Sequence, residues 1–370
     1  MSYHGVNDKD LGLKLRLMNI LWTQGWFVRP NVQLYRYQEG KRTSDQYTDI
    51  DVLAIKLFTF QNPVVAVCSA KSGKESDSEQ VYWLAGVKSY FGASIAFYVR
   101  AKASLTRAKS LCQKLDIVPL NDEQLKVLEQ RFGINSSSLQ SNFTEKIFLQ
   151  MSSHFDQLKE KKPAIYNYIS ERYWIEPPSN QLLSVLTVLR DLRVLTLTDD
   201  CRLFMKYYLA SLLALPIFEV AHSLISTPAS TLRGELQTAI MGGEMARRDK
   251  EKVLSAVKSF LEDVARKRGL LGASITNGID FETSIQDMTR DLYDIVLAMV
   301  EHYNQAVYVP RLVDALMYQA ARKQRDVPRL EDVTLPDITQ SDWKHVAKLT
   351  RDFLLFMQRI GVFDRSDISI

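Results

Sequence analysis

In the first third of the chain the hydrophobic period changes repeatedly. Leu11, Leu13, Leu15, Leu17, Met18, Ile20, Leu21 and Trp22 predict a helix over residues 9–24 that stops at Gly25. An extended run begins at Trp26-Phe-Val-Arg-Pro30. Residues 49–56 alternate polar and apolar before becoming fully apolar, and residues 63–68 form a short β-branched run. The Asn62-Pro63 turn between them predicts two neighbouring antiparallel strands. A Ser/Gly/Lys-rich loop (72–78), a helix (79–91), an apolar strand (93–99), a helix (103–114), a brief strand (117–118) and a short helix (122–131) follow. The order α-β-β-β-α-β-α-β-α predicts a mixed sheet with helices on its faces.

Beyond residue 132 the strand signal fades. Gly133-Ile-Asn-Ser-Ser-Ser138 is a polar junction, which divides the chain into an α/β domain (1–132) and an all-helical domain (133–370). Apolar residues then recur every three to four positions through 141–161, 180–197, 200–225, 229–268, 282–308, 310–325 and 340–360. The stretch 229–268 reads as one long helix, with Gly242-Gly243 as its kink or break. Residues 207–218 form the most apolar run but contain Pro216 and fall short of the about 20 residues that span a bilayer. They are expected to be a core helix, and no membrane role is expected.

Composition narrows the class. Hydrophobic residues make up 46% and charged residues 24%, the balance of a folded chain. The net charge of +4 is unevenly spread, because residues 1–132 hold 18 Lys/Arg against 13 Asp/Glu, a difference of 18−13 = +5. An excess confined to one module is compatible with a phosphate-facing surface there. Cys68, Cys112 and Cys201 are odd in number and widely spaced, with no CxxC pair. A reducing, cytoplasmic setting is expected, and the N-terminal residues carry no leader pattern.

The α/β module also holds a candidate chemical site. Asp51 opens an apolar strand, and Lys71 closes the next one in Val64-Val-Ala-Val-Cys-Ser-Ala-Lys71. Strand side chains alternate, so Ser69 and Lys71 share a face, and a hairpin would bring Asp51, Ser69 and Lys71 to one sheet edge. Glu79-Gln80 open the succeeding helix, and Lys74, Lys88 and Lys102 are candidate phosphate contacts.

This pattern resembles the PD-(D/E)xK restriction-endonuclease-like superfamily. The residues that carry the resemblance are Thr48-Asp-Ile-Asp51-Val-Leu-Ala, Cys68-Ser69-Ala70-Lys71, Glu79-Gln80-Val-Tyr-Trp-Leu, Phe91-Gly-Ala-Ser-Ile-Ala-Phe-Tyr-Val99, Leu105-Thr-Arg-Ala108 and Leu115-Asp-Ile-Val-Pro-Leu120. It spans about residues 8–132. The resemblance implies a restriction-endonuclease-like mixed sheet and a DNA nuclease, or nuclease subunit, that uses Mg²⁺ with Mn²⁺ able to substitute. It further implies that Asp51 binds the metal with help from the Ala70 carbonyl, that Lys71 acts on the attacking water and that Gln80 orients it. Two positions depart from the family pattern. Ser69 stands where an Asp or Glu is usual, and the first helix has Lys14 and Arg16 where relatives often carry a metal-side Glu. Glu75, Asp77 and Glu79 are the acids that could replace the missing ligand, and Glu79 is the choice.

Two functions follow as expectations. One is a Mg²⁺-dependent endodeoxyribonuclease of a bacterial restriction or phage-defence assembly, its helical domain binding a protein partner or a second copy. The other is an inactive nuclease-fold subunit that binds DNA and scaffolds partner proteins. Elsewhere the chain reads as structural. His4, His154, His222, His302 and His345 are scattered without metal-ligand spacing, and Trp174, Tyr207, Tyr208, Trp343 and Phe353 fit core packing. No Walker loop is present.

Overall fold

A computed structural model describes residues 10–38, 41–73, 76–101, 106–134, 143–243, 281–322 and 327–368, with isolated positions between 244 and 259. Helix α1 (Leu11–Thr23) precedes strands β1 (Phe27–Gln38), β2 (Lys41–Lys56) and β3 (Val64–Lys71). Then come α2 (Asp77–Phe91), β4 (Ile95–Arg100), α3 (Thr106–Lys114), β5 (Val118–Asn121) and α4 (Asp122–Arg131). This is the order read from the hydrophobic pattern, with β1 and β2 longer than expected.

The five strands lie in sequence order. β1 pairs antiparallel with β2, and β2 with β3. β3, β4 and β5 then run parallel, because α2 and α3 cross over between them. Pro30 sits on β1 at the sheet edge, where its missing N–H costs no inner ladder bond.

The helical part comprises α5 (Glu145–Lys161), α6 (Pro163–Ser170), a 3₁₀ turn (Arg172–Ile175), α7 (Pro178–Leu192), α8 (Asp199–Ser223), α9 (Leu232–Ile240), α10 (Phe281–Glu301), α11 (Tyr303–Ala306), α12 (Val309–Arg322) and α13 (Gln340–Arg359). Thr144, Thr198 and Thr339 cap α5, α8 and α13, each hydroxyl accepting a backbone N–H three residues on. Of the helix expected over 229–268 with its kink or break at Gly242-Gly243, the first part is α9, which ends at Ile240, and most of the part beyond the glycines lies outside the described residues. Gly242 and Gly243 both take positive φ, +92° and +94°, which a continuing helix cannot accommodate. α6 had no counterpart in the pattern; Pro163 at its first turn opens it.

α8 is long and apolar enough to cross a membrane by length and composition, but 89% of that apolar window is buried inside the protein. It is the central core helix, flanked by α7 and α12. Tyr207, Tyr208, Trp174 and Phe353 are core residues, as the spacing suggested.

The sheet and the helices share one continuous hydrophobic core. Trp22 of α1 packs edge-on against Phe143 and Tyr318, whose rings also meet each other at 4.9 Å. The Arg29 guanidinium on β1 reaches Asp314 of α12 at 2.6 Å and donates to Ser211 of α8 at 2.7 Å. Arg311 donates to the Trp22 carbonyl and pairs with Asp337. Gly25, at φ +87°, lies against that second pair, and a Cβ there would stand 2.9 Å from an Asp337 carboxylate oxygen.

Candidate functional site

The β2–β3 hairpin assembles the site. Its register pairs Val52 with Cys68, and one further step brings Asp51 level with Ser69, so Asp51, Ser69 and Lys71 lie on one face. Asp51 is 1% exposed. Its carboxylate accepts the Ala70 N–H at 2.9 Å and stands 3.1 Å from the Lys71 ammonium. Sequence reasoning brought these residues together correctly.

It did not anticipate the third donor. Lys14 of α1 places its ammonium 3.0 Å from the other Asp51 oxygen and also donates to Asn31 of β1 at 3.0 Å. The signal lay in the helix pattern. Lys14 falls on the stripe of Leu11, Leu17 and Met18, which are all buried. A lysine on a buried face needs a carboxylate within reach. Asp10, just before α1, accepts both the backbone N–H and the hydroxyl of Ser72, each at 2.5 Å, and so ties the loop after β3 to the start of α1.

Asp77, one of the acids proposed to complete a metal centre, is engaged elsewhere. Asp77, at the start of α2, accepts the Tyr98 hydroxyl at 2.8 Å and pairs with Arg100 at 2.9 Å. Burial, followed by that hydrogen bond, raises the Tyr98 hydroxyl well above its ordinary pKa. Glu79 is exposed on α2 and Gln80 is half-buried beside it. Glu75, Lys74 and Lys102 lie outside the described residues. Ser69 is buried, and its hydroxyl has no hydrogen-bond partner among the described residues.

The donor set therefore does not fit a divalent cation. Mg²⁺ is held by oxygen ligands, with one or two protein carboxylates free to face it beside waters and substrate phosphates. Here one carboxylate is held by two ammonium groups and an N–H, a cluster with a net charge of +1. Among the described residues no three His, Cys, Asp or Glu side chains gather where they could hold a metal. What the arrangement offers is a cationic strand end, with Lys71 22% exposed and Lys14 6% exposed.

Three further cations of the module are also engaged. Arg16 pairs with Asp122 and Glu129 of α4, which holds its guanidinium above the usual range. Lys88 grips Asp116 through both the carboxylate, at 2.7 Å, and the backbone carbonyl, at 2.8 Å. Arg100 is buried. These pairs leave the net +5 unchanged, because their acids are already counted in it. The three cysteines are free and buried, and burial raises each thiol pKa. In comparisons with protein families, curated proteins and solved structures, the chain matches none.

Proposed function

We propose that this chain is a nucleic-acid-binding subunit built on a restriction-endonuclease-like fold, in which the strand-end acid anchors lysines and does not ligate a catalytic metal. The observation that carries the reading is the pair of ammonium groups, from Lys14 and Lys71, on the single carboxylate of Asp51. The α-β-β-β-α-β order and the parallel β3–β4 pair agree with the resemblance of residues 8–132 to the PD-(D/E)xK superfamily. Ser69 in place of an acid, and Lys14 on the first helix, remove the negative charge that hydrolysis through Mg²⁺ or Mn²⁺ requires. The partly exposed Lys71 faces a phosphate of duplex DNA as a point charge. The helical part supplies the surface for a protein partner or a second copy, and three free buried thiols suit a reducing cytoplasm.

The test joins two measurements on the whole chain. Supercoiled plasmid, linear duplex and single strands are incubated with Mg²⁺ or Mn²⁺, and duplex binding is followed by fluorescence anisotropy across a salt series. The expected result is salt-dependent binding without cleavage, with Lys71→Ala reducing the slope of log K against log salt by about 1. Cleavage that disappears in Asp51→Ala would establish the active, metal-dependent enzyme instead. No binding to any of these nucleic acids would overturn both readings.

A further inference from the structure

A cleft of about 230 Å³ lies on the seam between the sheet and the helical part. One water needs only about 15 Å³ on this measure, so the space admits an organic molecule. β2 and β3 give it an apolar wall through Leu53, Ile55 and Val65. Tyr173 and Trp174 of the 3₁₀ turn, with Phe91, give it an aromatic lining.

Two carboxylates enter this apolar space, and they differ. Glu176 is paired with Arg172 at 2.5 Å through one oxygen, and its carboxylate also lies beside the Tyr168 hydroxyl. Glu219, which projects from the C-terminal end of α8, meets no ion-pair or hydrogen-bond partner among the described residues. Burial alone pushes its carboxyl up to about 7. An acid with no internal partner, facing a cavity with aromatic walls, is unfavourable when empty and complementary to a positive charge. The other polar groups of the lining are already committed. Tyr173 donates to the Leu212 carbonyl, Trp174 to Ile169 and Gln181 to Tyr173.

We propose that this cleft binds a small organic ammonium ion, its charge on Glu219 with Glu176 as second acceptor and its apolar body between Trp174 and the β2–β3 wall. A neutral isostere lacks the charge that Glu219 requires. An inorganic cation fits poorly, because most of the lining is hydrocarbon and offers few oxygen ligands. This site is independent of the Asp51 cluster and of nucleic-acid binding.

Calorimetric titration of the whole chain with phenethylammonium, cyclohexylammonium and tetramethylammonium, beside neutral 2-phenylethanol, tests the assignment. Saturable binding of at least one ammonium is expected, with the alcohol at least tenfold weaker. Glu219→Gln should lower ammonium affinity at least tenfold. It removes an isolated buried charge, so its folding is expected to be preserved, which a thermal melt verifies. Val65→Phe narrows the cleft from the sheet side without touching either carboxylate and should independently abolish binding. Saturation by none of the three ammonium ions, equal affinity for the alcohol, or unchanged affinity in Glu219→Gln would each overturn the proposal.

Discussion

Asp51 carries one negative charge and meets two ammonium groups, Lys14 at 3.0 Å and Lys71 at 3.1 Å. Two of the three partners are almost fully buried, so removing the carboxylate strands a cation in a poor solvent. Asp51→Ala should lower unfolding free energy in denaturant by about 3–5 kcal/mol. Adding Lys14→Met to that variant should recover a substantial part of the loss. If Asp51→Ala changes stability by no more than a surface substitution, the charge cluster is not holding α1 to the sheet.

Glu219 gives a second expectation at the residue scale, in pH. Its carboxyl is raised by burial from 4.5 to about 7, with Tyr173, Glu176 and the Arg172 partner of Glu176 as neighbours around the cleft. Between these values the unfolded chain has released the proton that the folded chain still holds. Stability therefore falls as pH rises from about 4.5 to 7, by about 3 kcal/mol at the low dielectric extreme. Denaturant titrations of the parent and Glu219→Gln across this window measure it. The variant should lose this component of the slope, and parallel curves for the two proteins would exclude the effect.

Among elements, the junction of β1 with α12 rests on Arg29 and Asp314, which are 2% and 0% exposed. The guanidinium also lies 4.0 Å over the Phe27 ring and donates to the Val28 carbonyl at 2.9 Å. Burial alone would lower its pKa, but the Asp314 charge, the neighbouring Tyr318 and Tyr208 and the Asp314 hydrogen bond together outweigh this and raise it. Arg29→Met or Asp314→Leu alone should each cost about 3–5 kcal/mol, whereas the double variant should be close to neutral, because it removes both buried charges. A double-mutant cycle from urea melts reads this coupling, and additive losses would contradict it. Both ends of the pair were present in the sequence, but Arg29 sat in a short extended run and Asp314 in an amphipathic helix, 285 positions apart by subtraction. No local pattern links residues at that distance.

The whole molecule is organised by the shared core. Trp22, Phe143 and Tyr318 interlock across the seam, and Arg311 binds the Trp22 carbonyl from α12. Thermal unfolding should accordingly follow one transition, with tryptophan fluorescence and far-ultraviolet dichroism coincident. Two separated transitions would mean that the seam is not cooperative.

Hydrophobic period and turn residues determined the element order of the first 132 residues, the helical character of the rest and the core role of α8, because those depend on neighbours two to four positions away. They also placed Asp51 and Lys71 on adjoining strands, since a hairpin is a local fold. Only the tertiary structure decided what Asp51 touches. Lys14 reaches it from α1 across the sheet, and Asp77 is drawn away by Arg100 and Tyr98. The pairing of buried charges is settled by three-dimensional packing and by the cost of leaving any one of them alone. That is why the contacts of Asp51 with Lys14 and Lys71 had to be read from the folded protein.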